Sequence, residues 1–204
     1  MKLYYAPGAC SLAPHIVARE AGIPLGLEKV DLSSHTTETG ANFRSINPKG
    51  YVPAIALDDG SVLTEAGAII QYLADQRAGS GLAPANGTLD RYRLIEWITF
   101  ISSEIHKGFG PLWNPSTPEA VKAAAKEKLA TRFAYLDKTL AARPFLTGDA
   151  FTIADAYLFT VVNWTNFHAM DLSPFPNLKA FQARVAARPK VQEALEAEGL
   201  KQAA

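Results

Sequence analysis

An α/β domain followed by an all-helical one is what this chain predicts, on three observations. Strand and helix signals alternate through the first 80 residues, a stretch rich in Gly, Pro and small residues interrupts them, and from Thr88 onward the strand signals stop. Residues 2–5 form a short apolar strand, Lys2-Leu3-Tyr4-Tyr5. Residues 11–21 follow as a helix, with Ser11 able to cap it and Pro14 in the first turn, where no N–H is missed. A second strand at 27–32 pairs with the first in parallel, since a helix between two strands favours a right-handed crossover. After the turn cluster Asn47-Pro48-Lys49-Gly50, strands at 53–57 and 61–63 flank Asp58-Asp59-Gly60, a strong hairpin signal. Thr64 is placed to cap a helix running from Glu65 through Ile69, Ile70 and Leu73. The order β-α-β, an irregular or helical stretch, then β-β-α is a thioredoxin-like layout.

The boundaries follow from composition. Residues 1–80 make the thioredoxin-like domain, 81–87 the linker and 88–204 the helical domain. In the latter, Leu94, Ile98, Ile101 and Ile105 recur at helical spacing within 90–107 and predict a buried stripe. Thr117-Pro118-Glu119 opens another helix with Val121, Leu129, Phe133, Leu136 and Leu140 as its apolar positions. Thr152-Ile153-Ala154-Asp155 resembles a capping box, with aspartate in place of the usual Glu or Gln, and starts a very apolar helix that should be central. Helices at 177–187 and 191–200 complete the chain.

Composition removes several function classes. At 204 residues and 48% hydrophobic content, a sizeable core is available. Twenty basic residues balance twenty acidic ones, so no general attraction to nucleic acid or to an anionic membrane is expected. A lone cysteine rules out an intramolecular disulfide, and the four histidines lack metal-site spacing, so no metal is expected. No apolar run approaches the roughly 20 residues of a membrane span. A soluble, cytoplasmic protein is the expectation.

Four features carry candidate chemistry. Cys10 falls where the first strand turns into a helix, and the unpaired N–H groups there favour a thiolate; a small buried thiol that merely packs is the alternative. Val52-Pro53 precedes a strand, where proline removes a ladder donor and marks either a strand start or a specialised turn. Glu65 and the Ala66 N–H open a helix, an arrangement suited to the ammonium and carboxylate of an α-amino acid; the alternative is that Glu65 only complements the helix dipole, as first-turn acids commonly do. Finally, Tyr92, Glu96, Thr99, Ser103 and His106 recur every three or four residues and so share one helix face, flanked by Trp97 and Phe100.

The segments Ala6-Pro7-Gly8-Ala9-Cys10-Ser11, Asn47-Pro48-Lys49-Gly50-Tyr51-Val52-Pro53, Leu63-Thr64-Glu65-Ala66, Ser103-Glu104-Ile105-His106-Lys107-Gly108-Phe109 and Phe151-Thr152-Ile153-Ala154-Asp155-Ala156-Tyr157 together resemble the glutathione transferases, closest to the bacterial beta class. The resemblance implies a redox and detoxification enzyme that conjugates glutathione to small apolar electrophiles, with accompanying thioltransferase or peroxidase activity, working as a homodimer. It assigns catalysis to Cys10 and His106, with a mixed disulfide forming at Cys10. Glutathione binding would involve Cys10, Ser11, His35, Val52, cis-Pro53, Glu65 and Ala66, and on another wall Thr99, Ser103, Glu104, Ile105, His106 and Lys107, some of them reaching the neighbouring subunit's ligand. Thr152 and Asp155 would serve folding.

Three positions depart from the class. Ala66 offers no hydroxyl where many relatives have serine, and Thr99 stands in place of a common asparagine. His35 replaces a lysine near the glycyl carboxylate, which predicts glutathione binding that tightens as pH falls. Tyr4 and Tyr5 are rival activators of the bound thiol. A non-catalytic carrier of apolar ligands on the same scaffold is the alternative from a different class, with Trp113, Trp164 and Phe167 as its aromatic material.

Overall fold

In the computed structural model, which describes residues 1–200, the first strand is β1 (Lys2–Tyr5), followed by α1 (Leu12–Glu20) and β2 (Gly26–Asp31). β1 and β2 pair in parallel, with Lys2 opposite Gly26 and Tyr5 opposite Lys29. A two-residue strand β3 (Thr36–Thr37) and a single-turn helix α2 (Phe43–Ile46) fill the irregular stretch. Then come β4 (Ala54–Ala56), β5 (Val62–Thr64) and α3 (Ala66–Asp75). The sheet order is β3-β2-β1-β4-β5, with β4 antiparallel to both β1 and β5, as a thioredoxin-like layout requires. The expected hairpin forms: Gly60 has φ 85°, and the Leu57 N–H donates to the Ser61 carbonyl at 2.8 Å.

Alternation along the strands decides which side chains are enclosed. Tyr4, Val30, Val52 and Ala54 meet Phe43 of α2 in one apolar cluster. Leu12, Ile16, Ile69, Ile70 and Leu73, from the facing sides of α1 and α3, are fully buried. Burying a side chain of this size contributes roughly 1.5–3 kcal/mol each.

Two expected caps do not form. Ser11 has helical φ and ψ, and its hydroxyl instead bridges the N–H and the carbonyl of Ala6, both at 3.2 Å. Thr64 ends β5, and the residue that enters α3 is Glu65, with φ 72°.

The helical unit begins with α4 (Leu89–Phe100), capped by the Thr88 hydroxyl, which accepts the Arg91 N–H at 3.2 Å. Leu94, Ile98, Ile101 and Ile105 are all buried, as the stripe predicts. The expected continuous helix changes pitch, however: Ile101–His106 is wound as a π-helix and Lys107–Phe109 as a 3₁₀ turn, leading into the short α5 (Gly110–Trp113). Helix α6 (Glu119–Leu140) follows, with Pro118 rather than Thr117 at its cap position. Its buried positions are Leu129, Phe133, Leu136 and Leu140, whereas Val121 is exposed. Every residue of α7 (Ile153–Val162) is buried. Its capping box forms, and the Asp155 carboxylate accepts the backbone N–H groups of Thr152 at 2.8 Å and Leu146 at 2.9 Å.

Helices α8 (Pro176–Ala186) and α9 (Pro189–Ala197) end the described chain. By contacts the molecule divides into Met1–Ala83 together with the segment from Ala187, and Pro84–Ala186. Thus α9 packs with the first unit, on α1, although composition groups it with residues 88–204; residues 201–204 of that range lie outside the described residues. The reason is a set of polar ties: Arg188 makes a bidentate pair with Glu20 at 2.7 and 2.9 Å, and Glu198 is buried against His15, Nδ1 to Oε1 2.9 Å. Among the described residues, no helix is long and apolar enough to cross a membrane.

Candidate active site

In the first unit, Cys10 lies between the loop after β1 and the start of α1, 9% exposed. Its thiol donates to the Val52 carbonyl at 3.3 Å, and the Val52-Pro53 bond is cis. Burial, the largest influence, pushes this thiol up to about 12; the Cys10 N–H opposes the rise, the Glu65 charge adds to it and the Ser11 N–H opposes it. The helix-start amides therefore act in the expected direction but are outweighed by desolvation. Burial thus holds Cys10 as a neutral S–H donor, where the helix-start position alone favours the thiolate.

The loop that carries Cys10 is fixed from beneath. The Gly8 N–H donates to Glu198 Oε2 at 3.0 Å, and the other oxygen of that carboxylate holds His15, itself 1% exposed. No spacing in the sequence joins positions 183 residues apart, so this support was not legible there.

Glu65 heads α3 in the left-handed half of φ space, a conformation that costs a non-glycine residue on the order of 1–3 kcal/mol. Its Oε1 accepts the Lys49 ammonium at 2.6 Å and the Tyr51 hydroxyl at 2.9 Å, and Lys49 also reaches the Thr64 hydroxyl at 2.9 Å. The hydrogen bond to Glu65 raises both Lys49 and Tyr51 above their ordinary values. Ala66, the next residue, is buried at the first position of the helix. In the sequence Lys49 and Tyr51 belong to the turn segment at 47–53, and their spacing from Glu65 gives no signal.

His35 has φ 53°, and Arg44 Nη2 lies 2.9 Å from its Nε2. A guanidinium can only donate, so the ring accepts through Nε2 and the standing positive charge at this place belongs to Arg44.

In the helical unit, Thr99 and Ser103 are exposed, and the Ser103 hydroxyl donates to the Thr99 carbonyl at 2.9 Å. Glu104 turns to α6, where Arg132 holds it through Nε at 2.9 Å and Nη2 at 2.8 Å. The Ile105 side chain is fully buried and serves the core, so a ligand contact through it is not supported. Lys107 is exposed. His106, the last π-helical residue, leaves the exposed line of Tyr92, Glu96, Thr99 and Ser103 and places Nδ1 2.7 Å from the Tyr157 hydroxyl. Among the described residues, no cluster of three or more His, Cys, Asp or Glu side chains could hold a metal ion.

A thioredoxin-like thiol site on a chain that also carries an all-helical unit defines a class of sulfur-handling proteins. Comparison with known proteins narrows that class. Residues 8–76 match the family model "Glutathione S-transferase, N-terminal domain", and residues 100–189 match "Glutathione S-transferase, C-terminal domain". Glutathione S-transferase GstA of Escherichia coli O157:H7 is 47% identical over 98% of this chain and 100% of its own. A sphingomonad glutathione S-transferase solved with glutathione superposes with a TM-score of 0.95 at 49% identity, covering 98% of this chain and 100% of that one. The bacterial beta-class enzyme of Sphingomonas chungbukensis gives a TM-score of 0.96 at 47% identity over the same shares. The chain belongs to the glutathione S-transferase family of enzymes.

Proposed function

We propose that the protein binds glutathione through its first unit and transfers its sulfur to small apolar electrophiles, with thiol–disulfide exchange at Cys10 as a second activity. The observation that carries this reading is the gathering of three recognition groups in that unit: the Cys10 thiol on the Val52 carbonyl, the Glu65 carboxylate and the helix-opening amide of Ala66. Glu65 already accepts an alkylammonium, that of Lys49, and so suits the ammonium of a γ-glutamyl end. Arg44 beside His35 supplies a permanent cation for a carboxylate. The sphingomonad relative, solved with glutathione, supports the same ligand.

In conjugation, glutathione loses its thiol proton to solvent, the thiolate attacks an electrophilic carbon, and the displaced group departs with its electron pair. A buried, neutral Cys10 S–H serves there as a hydrogen-bond donor to the thiolate. In exchange, the Cys10 thiolate attacks one sulfur of glutathione disulfide, the S–S bond breaks, and one glutathione thiolate leaves. Since Cys10 is the single cysteine, a second glutathione must resolve the mixed disulfide. His106, Thr99, Ser103, Glu104 and Lys107 are proposed to act on the ligand on the strength of the family motif. Glu104 contributes by fixing the π-helical stretch through Arg132.

Trp113 and Phe167, 47% and 53% exposed and packed together at 6.0 Å, offer an apolar surface to the electrophile. A homodimer working in the cytoplasm completes the proposal. The test is turnover of a generic aryl halide with and without glutathione: turnover that vanishes on omission supports the enzyme. Retention on immobilised glutathione without turnover would favour the carrier reading, and neither retention nor turnover would end both.

A further inference from the structure

Tyr157 is the largest of the fully buried side chains, and it sits in a helix with no exposed residue, yet its hydroxyl meets a half-buried imidazole across the unit. The two rings meet edge to face, with centroids 5.9 Å apart and an interplanar angle of 87°. Trp164 closes on the same imidazole at 4.9 Å and 76°. The backbone beneath His106 is equally constrained. The π-helical stretch that ends at His106 is tied to α6 by the Glu104–Arg132 pair, and a Cβ placed on Gly108 would meet Leu129 at 2.8 Å. The imidazole thus meets two aromatic rings and a phenol oxygen, on a backbone tied at two points.

From this arrangement the geometry points to Tyr157 as a positioning residue that fixes His106 in the tautomer with its proton on Nε2, making the imidazole a hydrogen-bond donor and not a general base. A phenol with a reference pKa of about 10 is a good donor, and a neutral imidazole has one acceptor nitrogen. Nδ1 and the Tyr157 hydroxyl oxygen lie 2.7 Å apart, and donation from the phenol to Nδ1 puts the ring proton on Nε2. This inference rests on the proposed catalytic role of His106. It sharpens that role: an Nε2–H group stabilises the thiolate of glutathione by a charge-assisted bond but cannot remove the thiol proton, which passes to solvent. In the sequence Tyr157 is an apolar position of a central helix, and a tyrosine hydroxyl inside a helical core carries no periodic signal.

Two measurements test this on the full chain. In protein labelled with ¹⁵N-histidine, the two-bond couplings of His106 near pH 8 report the tautomer directly. Wild type should show Nε2–H, and Tyr157→Phe should shift the population toward Nδ1–H. A wild-type Nδ1–H tautomer, or identical spectra in the two proteins, would overturn the inference. Kinetically, Tyr157→Phe should lower kcat about tenfold with glutathione KM nearly unchanged, the loss expected for one mispositioned donor. In a His106→Gln background, whose amide is itself a donor without help from Tyr157, the same change should cost nothing further. An equal cost in both backgrounds would mean that Tyr157 acts only through packing, and the inference would fall. Should Tyr157→Phe not fold, the wild-type spectrum alone decides. The spectrum also reads out in a protein that does not turn over glutathione, so failure of the proposed function and failure of this inference are distinguishable.

Discussion

In the first unit the groups proposed to meet a ligand are largely main chain: the carbonyl of Val52, the amide of Ala66 and the amides at the start of α1, with Cys10 and Glu65 set among them. In the helical unit the proposed groups are side chains on one helix whose pitch changes, Thr99 and Ser103 before or within the change and His106 at its end. A backbone group is placed by turns and by unusual φ values, as at Glu65, and tolerates any side chain that permits the turn. A side chain on a helix is placed by winding, and its use depends on neighbours that hold it, as Arg132 holds Glu104 and Tyr157 holds His106. Substitutions should therefore act differently in the two regions: few in the first remove recognition outright, whereas in the second, changes remote from the ligand should be felt.

The largest expected effect comes from Cys10, the side chain proposed to carry exchange. Cys10→Ala should lower glutathione-dependent disulfide exchange at least about a hundredfold while leaving the fold intact, since a small side chain replaces a small one. The same thiol, pushed up to about 12 by burial, should resist alkylation at pH 7, with a rate rising about tenfold per pH unit through pH 10. A plateau near pH 8 would mean that the helix-start amides win after all.

Next comes a stability effect confined to the helical unit. Asp155→Ala strips the acceptor from two buried backbone amides, and should cost roughly 2–4 kcal/mol, read as a fall in Tm of about 5–12 °C. Unchanged glutathione affinity in the folded variant would confirm that the capping aspartate serves the fold alone.

Glu65→Gln removes the negative charge that would meet an ammonium and should weaken glutathione binding about tenfold by calorimetry, with the Val52 and Ala66 contacts retaining the rest. The smallest effect is Gly108→Ala. Its new methyl would press on the tip of Leu129, which can shift, so about 1–2 kcal/mol and a few degrees of Tm are expected. Restoration by Leu129→Val in the double variant would tie the loss to that contact.

What the sequence made legible follows the same division. The buried stripe of α4, the Asp59-Gly60 hairpin and the Thr152/Asp155 box are local patterns, and each forms. The thiol at the strand-to-helix turn is local too, although its charge state depends on how deeply the site is buried, which no spacing records. β3 is two residues long and lies below any alternation signal. The π-helical winding moves His106 off its expected face because periodicity counts assume one pitch throughout. The pairing of His15 with Glu198, and the transfer of α9 to the first unit that accompanies it, rest on two polar residues from opposite ends of the chain.

The claim on which the rest stands, that the first unit recognises glutathione through main-chain groups beside Cys10, has a direct readout in backbone amide NMR. On titration with glutathione, the Val52 and Ala66 amides should move furthest among the amides of this unit, and they should do so in Cys10→Ala as well as in wild type. Saturable shifts that leave both amides in place would contradict it.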